Sequence, residues 1–230
     1  MTSDQRVRNS MFVDEPDTGL ILSGLRRYKL FTAVYFLGGQ GRLLQEIVAR
    51  SGLRAGEDAL DVGCGPGKLV RALGHRTGPG GSATGVDPSP EAIAYNRHHD
   101  PRHRYLCSPA QELVLPDAAF DVVTCTFVMH HIPERHRVAA LAEMWRVLRP
   151  SGRLVLADAH PSALVRAVFR ASDRVRRTSN VDRFAAVDIR NYMAALEEVG
   201  FAESEFAEFG SGTGAIVARK PDRAGDDSQR

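Results

Sequence analysis

Short apolar segments alternate along this chain with longer segments of helical periodicity. Five segments have the length and composition of strands, and they begin at Ala59, Ala83, His103, Val122 and Arg153. Between the last two, residues 134–148 repeat apolar side chains every three or four positions, as an amphipathic helix does. Strands that alternate with helices in this way predict an α/β fold with a parallel sheet.

The N-terminal part of the chain is predicted to be a helical cap. Residues 1–17 are polar and expected to be frayed, whereas residues 24–53 carry two helical stripes separated by a pair of glycines. The first stripe gathers aromatic rings on one face: Tyr28, Phe31, Tyr35 and Phe36. That face either packs on the sheet or closes over an apolar substrate, with Tyr28 and Tyr35 as candidate substrate contacts. We therefore assign residues 1–52 to an N-terminal helical cap or lid.

The C-terminal part is predicted to complete the sheet. Asp188 is placed to cap a helix that Gly200 ends. Residues 201–209 and 215–219 then predict a closing antiparallel pair of strands. Residues 221–230 are polar and predict a disordered tail.

The segment most informative about function is Asp61-Val62-Gly63-Cys64-Gly65-Pro66-Gly67-Lys68. An apolar run that ends in an acid meets a turn with glycine at every second position, and a helical pattern follows. Glycine lets the backbone adopt positive φ and approach a ligand without an intervening Cβ. A strand, a glycine turn and a helix start together form a nucleotide site at the carboxyl edge of a parallel sheet.

Two kinds of ligand compete for this turn. A dinucleotide-binding turn needs Gly or Ala three positions after its second glycine, and Lys68 occupies that position. The pattern Asp-x-Gly-x-Gly-x-Gly instead resembles the first motif of the class I S-adenosylmethionine (SAM) methyltransferases. About twenty residues further on, the next strand ends in Asp87, where a carboxylate can accept both hydroxyls of a nucleoside ribose.

The resemblance extends from about residue 43 to residue 220 and carries expectations about fold and cofactor. It implies a Rossmann-like, doubly wound sheet of seven mostly parallel strands with helices on both faces. It also implies that residues 53–220 form a SAM-binding domain, in which residues 160–187 occupy the place of a substrate-covering insertion. The cofactor-binding residues that it implies are Asp61, Gly63, Cys64, Gly65, Gly67, Asp87, Pro88, Ala110, Gln111 and Thr126.

The segment 108–121 resembles the adenine-binding loop of the family, with one departure. Pro109 stands where the family usually has an acid that accepts from the adenine amino group. Proline has neither a side-chain acceptor nor an N–H group. The Ala110 N–H can still donate to the ring, and the Gln111 amide could reach it.

A pair of histidines leaves the fourth predicted strand at the carboxyl edge of the sheet. Adjacent side chains point in different directions, so we expect one histidine to face the pocket and the other to hydrogen-bond within the fold. We favour His131 for the pocket because Ile132-Pro133 fixes the backbone after it. Histidine has a pKa near neutrality and suits a general base, which makes His131 and His130 the candidate catalytic residues. A purely structural or cofactor-binding role for both stays open.

Composition limits the partners of the chain. Its 230 residues are 43% hydrophobic and carry a net charge of +2, which gives no electrostatic reason to expect a nucleic-acid or membrane partner. Three cysteines, each in or beside a predicted strand, indicate buried free thiols in a reducing cytoplasm. No cysteine–histidine cluster has metal-ligand spacing, and the protein is expected to be a monomer or a homodimer.

Absent motifs narrow the expected methyl acceptor. Residues 126–129 are not the Asn/Asp-Pro-Pro-aromatic box of enzymes that methylate amino groups of nucleic acids and glutamine. Cys125 lacks the preceding proline of cytosine-C5 enzymes, and no acid ends the fourth strand as in the metal-dependent catechol type. A small apolar or aromatic metabolite remains, of secondary-metabolite or quinone type, methylated at O, N or C. Two alternatives stay open: a SAM-binding protein of the same fold with non-methylating chemistry or a regulatory role, and an NAD-dependent oxidoreductase, which Lys68 opposes.

Overall fold

A computed structural model describes residues 11–35, 38–160, 188–209 and 213–222. Its strands are β1 (Phe12–Glu15), β2 (Gly19–Leu22), β3 (Asp58–Val62), β4 (Ser82–Asp87), β5 (Arg104–Cys107), β6 (Phe120–Thr126), β7 (Leu148–Ala159), β8 (Ala202–Phe209) and β9 (Thr213–Arg219). Its α-helices are α1 (Leu25–Tyr35), α2 (Gln40–Arg50), α3 (Lys68–Thr77), α4 (Pro90–His99), α5 (Glu134–Val147) and α6 (Tyr192–Val199). Short 3₁₀ turns at Gly78–Gly80 and Ile189–Asn191 precede β4 and α6.

The main sheet has seven strands in the order β5-β4-β3-β6-β7-β9-β8. The first five strands in that order are parallel, and β9 runs antiparallel to both β7 and β8. The chain moves outward from β3 through β4 to β5 and then returns to the other side of β3 at β6. This reversal of strand order leaves a crevice at the carboxyl ends of β3 and β6. The predicted Rossmann-like fold class is confirmed.

Alternation along the strands divides the core into two layers. Ala59, Val122 and Val155 pack with α2, α3 and α4 on one face of the sheet. Leu60 and Val123 pack with α5 and α6 on the other face. Successive strand residues point to opposite faces, and both faces are covered, so the buried positions of these strands are mostly apolar.

The expectation of a frayed N-terminus is wrong from Phe12 onward. Strands β1 and β2 pair antiparallel from Phe12↔Leu22 to Glu15↔Gly19 and form a separate two-stranded hairpin, which we call the N-terminal hairpin. Its backbone docks on the main domain, where the Leu20 N–H donates to the His131 carbonyl at 3.1 Å. Gly19 is required at this contact, because a Cβ there would lie 2.0 Å from the same carbonyl oxygen. The cap therefore begins with a hairpin, ahead of the two predicted helices α1 and α2.

The other helices and strands lie close to their predicted positions. Helix α5 ends one residue earlier than predicted and passes directly into β7, which begins at Leu148 rather than Arg153. The predicted insertion lies outside the described residues except for His160, and the predicted tail lies outside them beyond Asp222. Cys64 and Cys125 are buried as predicted, but Cys107 is exposed because it ends the edge strand β5.

Candidate functional site

The glycine turn, Gly63–Gly67, connects β3 to α3 at the crevice. Gly63, Gly65 and Gly67 all have positive φ, at 75°, 47° and 70°. The Gly63 and Cys64 N–H groups both donate to the Val86 carbonyl, at 2.7 and 2.9 Å, which ties the turn to the end of β4. A Cβ on Gly63 would lie 2.1 Å from Val128 Cγ2, so close packing as well as φ requires glycine there.

Asp87 lies at the end of β4 beside this turn. Its Oδ2 accepts from the Gly65 N–H at 2.8 Å, and its Oδ1 accepts from the Ser89 N–H at 2.8 Å. Burial raises the pKa of this carboxyl, although the two backbone donors act in the opposite direction. Each carboxylate oxygen has a second lone pair, so the group can still accept hydroxyl donors from a ligand.

Asp61 is a second buried acid, one strand away. It accepts a hydrogen bond from Thr124 Oγ1 at 2.8 Å. Burial raises its pKa to about 7, against the lowering effect of Thr124, and the charge of Asp87 raises it further. Burial, followed by the charges of Asp87 and Asp61, raises the pKa of Tyr28 on α1 to about 12.

A cleft opens at the carboxyl ends of β3, β4 and β6. Nine of the residues predicted for the site line it: Tyr28, Gly63, Gly65, Asp87, Pro88, Ala110, Gln111, Thr126 and His131. Residues that sequence reasoning did not assign complete the wall: Phe12, Thr18, Leu20, Leu22, Phe127, Val128 and Ile132. A larger cleft lies at the opposite edge of the sheet and contains none of the predicted site residues. Ligands of open α/β sheets bind at the carboxyl ends, so the first cleft is the candidate site.

Four other predicted site residues whose side chains the structure describes do not line the cleft: Asp61, Cys64, Gly67 and His130. Asp61, Cys64 and Gly67 lie behind its wall, and burial raises the pKa of the Cys64 thiol. Behind Gly67, Asn96 Nδ2 donates to the Gly65 carbonyl at 2.7 Å and so supports the turn. Tyr35 is the last residue of α1, and its side chain lies outside the part of the chain that the structure describes.

The N-terminal hairpin forms one side of the cleft and is held by the main domain. Gln111 Nε2 donates to the Asp17 carbonyl at 2.8 Å, and the Arg135 guanidinium donates to the Pro16 carbonyl at 2.5 Å. At the other end of the hairpin, Ser89 Oγ donates to the Leu22 carbonyl at 2.5 Å. A sequence signal for this hairpin exists, since Pro16-Asp17-Thr18-Gly19 is a turn-forming segment between two apolar runs.

The two histidines take different positions. His131 lines the cleft, and its ring lies between those of Phe12 and His130, with centroids 4.9 and 4.1 Å away. His130 is 5% exposed, and its Nδ1 lies 2.8 and 3.0 Å from the two oxygens of buried Asp158. An ionised carboxylate only accepts, so Nδ1 carries the proton, and in a neutral ring Nε2 is the acceptor nitrogen. The catalytic roles of both histidines stay predictions.

The side chains of the cleft suit a nucleoside that carries no phosphate. A strand-end acid is present for the ribose, and the buried Gln111 Oε1 has no hydrogen-bond partner among the described residues. The lining side chains that the structure describes include no lysine or arginine that could pair with a phosphate. Two buried acids next to the glycine turn favour a ligand with positive charge, such as a sulfonium. The fold and this site define a nucleoside-binding α/β domain.

The described residues contain no group of three or more His, Cys, Asp or Glu side chains that could hold a metal ion. Within the same residues, no helix has the length and apolar character needed to cross a membrane.

The sequence of this chain is similar to a protein-family model and to named methyltransferases. A family model described as "Methyltransferase domain" matches residues 60–156. The 27-O-demethylrifamycin SV methyltransferase of Amycolatopsis mediterranei is 35% identical over 173 residues, which cover 73% of this chain and 61% of that protein. The demethylmenaquinone methyltransferase of Staphylococcus aureus strain JH9 is 34% identical over 114 residues, covering 48% of this chain and 46% of that protein. The chain thus spans about half to three-fifths of the length of these two relatives.

Solved structures agree on the fold. A SAM-dependent methyltransferase from Aquifex aeolicus superposes with a TM-score of 0.64 at 20% identity, covering 85% of this chain and 96% of that one. A TehB-like SAM-dependent methyltransferase from Corynebacterium glutamicum gives a TM-score of 0.60 at 22% identity, covering 85% and 95%. Residues 60–156 thus match a methyltransferase domain, and the fold is that of solved SAM-dependent methyltransferases, whose cofactor is S-adenosylmethionine.

Proposed function

We propose that this protein transfers a methyl group from SAM to an oxygen, nitrogen or carbon atom of a small apolar or aromatic metabolite. The observation that carries the proposal is the cleft itself, which combines a nucleoside-binding wall at Asp87 with an apolar wall at Phe12, Leu20 and Ile132. The two relatives described above are named for a rifamycin and a menaquinone precursor, both of them small-molecule acceptors. A secondary metabolite or a quinone-like compound is the acceptor class that fits best.

The chain's own residues would bind, orient and shield the reactants. The glycine turn and Asp87 hold the nucleoside, with Ala110, Gln111 and Pro88 on the side of the base. When bound, SAM supplies a methyl carbon that the sulfonium charge has already activated. Holding an acceptor in line with that carbon can contribute about 7–11 kcal/mol to lowering the barrier. Tyr28 and the N-terminal hairpin cover the cleft and exclude water from it.

A base is required only if the acceptor arrives protonated. We propose His131 for this role, because its ring is in the wall of the cleft. His130 would then act behind it as a positioning residue, held by Asp158 and packed against the His131 ring. The His130–Asp158 pair also has the arrangement of a base and its orienting carboxylate, so His130 is the second candidate.

The partners and location follow from composition. The low net charge supports a protein without a nucleic-acid or membrane partner, and the free cysteines Cys64, Cys107 and Cys125 support a cytoplasmic location. We expect a monomer or a homodimer.

Two measurements test the proposal. Calorimetric titration should give tighter binding for S-adenosylhomocysteine than for NAD, and the reverse order would contradict the cofactor assignment. Incubation with SAM and a set of phenolic, quinone and polyketide acceptors should then produce a mass gain of about 14 daltons (the mass of one CH₂) in one acceptor class. Tight SAM binding without any product across such acceptors would favour the binding or regulatory alternative.

A further inference from the structure

The two polar atoms of the Gln111 side chain differ, because Nε2 has a hydrogen-bond partner and Oε1 has none among the described residues. Its Nε2 donates to the Asp17 carbonyl oxygen, which belongs to the turn of the N-terminal hairpin. A carbonyl oxygen can only accept, so this contact fixes which end of the amide is nitrogen. Its Oε1 is buried and has no hydrogen-bond partner among the described residues. A buried acceptor without a donor costs free energy, which a donor arriving with a ligand would recover.

The position of this amide relates it to the base of the ligand. Asp87 ends β4, and Gln111 lies in the segment that connects the neighbouring strand β5 to β6; both line the cleft. If the ribose is at Asp87, the base extends toward the side of β5, where Pro88, Ala110 and Gln111 form the wall. Of these, only Gln111 has a polar side chain, and Pro109 next to it has none.

We propose that Gln111 selects the base of the cofactor, with its Oε1 accepting a hydrogen bond from the exocyclic 6-amino group of adenine. The Asp17 carbonyl holds the amide in this orientation, so the N-terminal hairpin takes part in recognising the base. This inference rests on the proposed function, because it assumes that a SAM-type nucleoside occupies the cleft.

The same turn of the hairpin has a second, independent attachment. The Arg135 guanidinium donates to the Pro16 carbonyl and lies 3.2 Å from Asp17 Oδ1, on the exposed side of the turn. Arg135 does not line the cleft. Arg135→Gln therefore removes one attachment of the turn and leaves the contact between Gln111 and the Asp17 carbonyl in place, which makes it a matched control for Gln111→Met.

The test uses S-adenosylhomocysteine and its 6-deamino analogue, in which a purine without the amino group replaces adenine. This analogue keeps the N1 acceptor, so only the contact of the amino group is lost. In the full-length protein, removal of the amino group should weaken binding by roughly 5–150-fold, since a buried acceptor is left without a donor. In Gln111→Met the two ligands should bind within about twofold of each other, whereas Arg135→Gln should keep the discrimination of the original protein.

The outcomes separate this inference from the proposed function. If S-adenosylhomocysteine does not bind the original protein, the proposed function itself fails. If it binds but the deamino analogue binds equally well, the amino group has no acceptor and the inference is overturned, without any variant being needed. Discrimination that persists in a folded Gln111→Met variant also overturns it. Loss of discrimination in Arg135→Gln as well would assign the effect to the hairpin and not to the Gln111 oxygen.

Discussion

The cofactor half and the acceptor half of the cleft are built in different ways. In the cofactor half, the glycine turn and Asp87 are fixed by backbone hydrogen bonds between β3 and β4, elements that are neighbours in both sequence and space. In the acceptor half, the N-terminal hairpin contacts the segment that carries His130 and His131, which is distant from it in the sequence. The contact is the hydrogen bond from the Leu20 N–H to the His131 carbonyl. The cofactor half is formed mainly by one local strand-turn-helix unit and the next strand. The acceptor half forms only when distant parts of the chain come together in the folded domain.

This difference has consequences for function. A turn held by the backbone presents the same geometry whatever side chains surround it, which suits the binding of a constant cofactor. A wall assembled from a hairpin, a helix and a loop can change its side chains without disturbing the sheet, which suits a variable acceptor. Substitutions in the cofactor half should therefore affect binding and folding together, and substitutions in the acceptor half should affect turnover more strongly than cofactor binding.

The largest effect is expected from the histidines of the acceptor half. If His131 is the general base, His131→Gln should lower kcat by about 10²–10⁴-fold with S-adenosylhomocysteine affinity almost unchanged. His130→Gln removes the partner of buried Asp158 and should lower thermal stability as well. The measurements are kcat from pH 6 to 9, cofactor affinity and Tm for both variants.

Two results would change this assignment. If His130→Gln loses the pH dependence of kcat and His131→Gln keeps it, His130 is the base and Asp158 its orienting group. If both variants keep turnover and pH profile, histidine has no part in the proton transfer and orientation of the acceptor is sufficient.

In the cofactor half, the next largest effect is expected at Gly63. Gly63→Ala places a methyl group 2.1 Å from Val128 Cγ2 at a φ of 75°, so overpacking and backbone strain add. Together they should lower the free energy of unfolding by roughly 2–5 kcal/mol and weaken cofactor binding with it.

Gly65 offers a matched control for this prediction. A Cβ at Gly65 would have no atom within 4 Å, so Gly65→Ala should cost only the strain of its φ of 47°, about 1–2 kcal/mol. The double variant Gly63→Ala/Val128→Ala should recover part of the stability lost in the single variant. Equal losses at Gly63 and Gly65, measured by urea unfolding, would show that packing against Val128 has no influence.

A smaller effect on binding is expected at Asp87. If the carboxylate holds the ribose hydroxyls, Asp87→Ala should weaken S-adenosylhomocysteine binding by about 10–150-fold, or 1.5–3 kcal/mol. The variant should also lose some stability, because the Gly65 and Ser89 N–H groups lose their acceptor. Calorimetry on the folded variant decides between the two roles, since unchanged affinity would leave Asp87 a purely structural acceptor.

Sequence reasoning was most informative where the fold is local. The order of β3, α3 and β4, and the positions of Gly63 and Asp87 within it, follow from apolar runs that end in a glycine turn and an acid. The hairpin was missed because four-residue strands beside a polar N-terminus carry little periodic signal. Their pairing is fixed by distant partners such as Gln111 and Arg135. The Asp158–His130 pair could not be predicted from the sequence either, because it depends on the parallel register of β6 and β7.

The last expected effect concerns the pH dependence of stability in the cofactor half. The pKa of Asp61 is about 7 in the folded protein because of burial, against an ordinary value of 3.8. Between pH 4 and 7 the folded state therefore binds a proton at this site that the unfolded chain has released. Stability falls as the pH rises through this range and levels off above pH 7, where both states are ionised.

The variant Asp61→Asn removes this titration and keeps an oxygen that can accept from Thr124. Urea unfolding at pH 5, 6, 7 and 8 should show a smaller decline in stability for Asp61→Asn than for the original protein. Thr124→Val gives an independent check, because loss of the hydrogen bond that lowers the Asp61 pKa should extend the decline to higher pH. Parallel pH profiles for the original protein and Asp61→Asn would mean that Asp61 is ionised throughout. The buried acid beside the glycine turn would then carry a full negative charge toward the cofactor even before the cofactor binds.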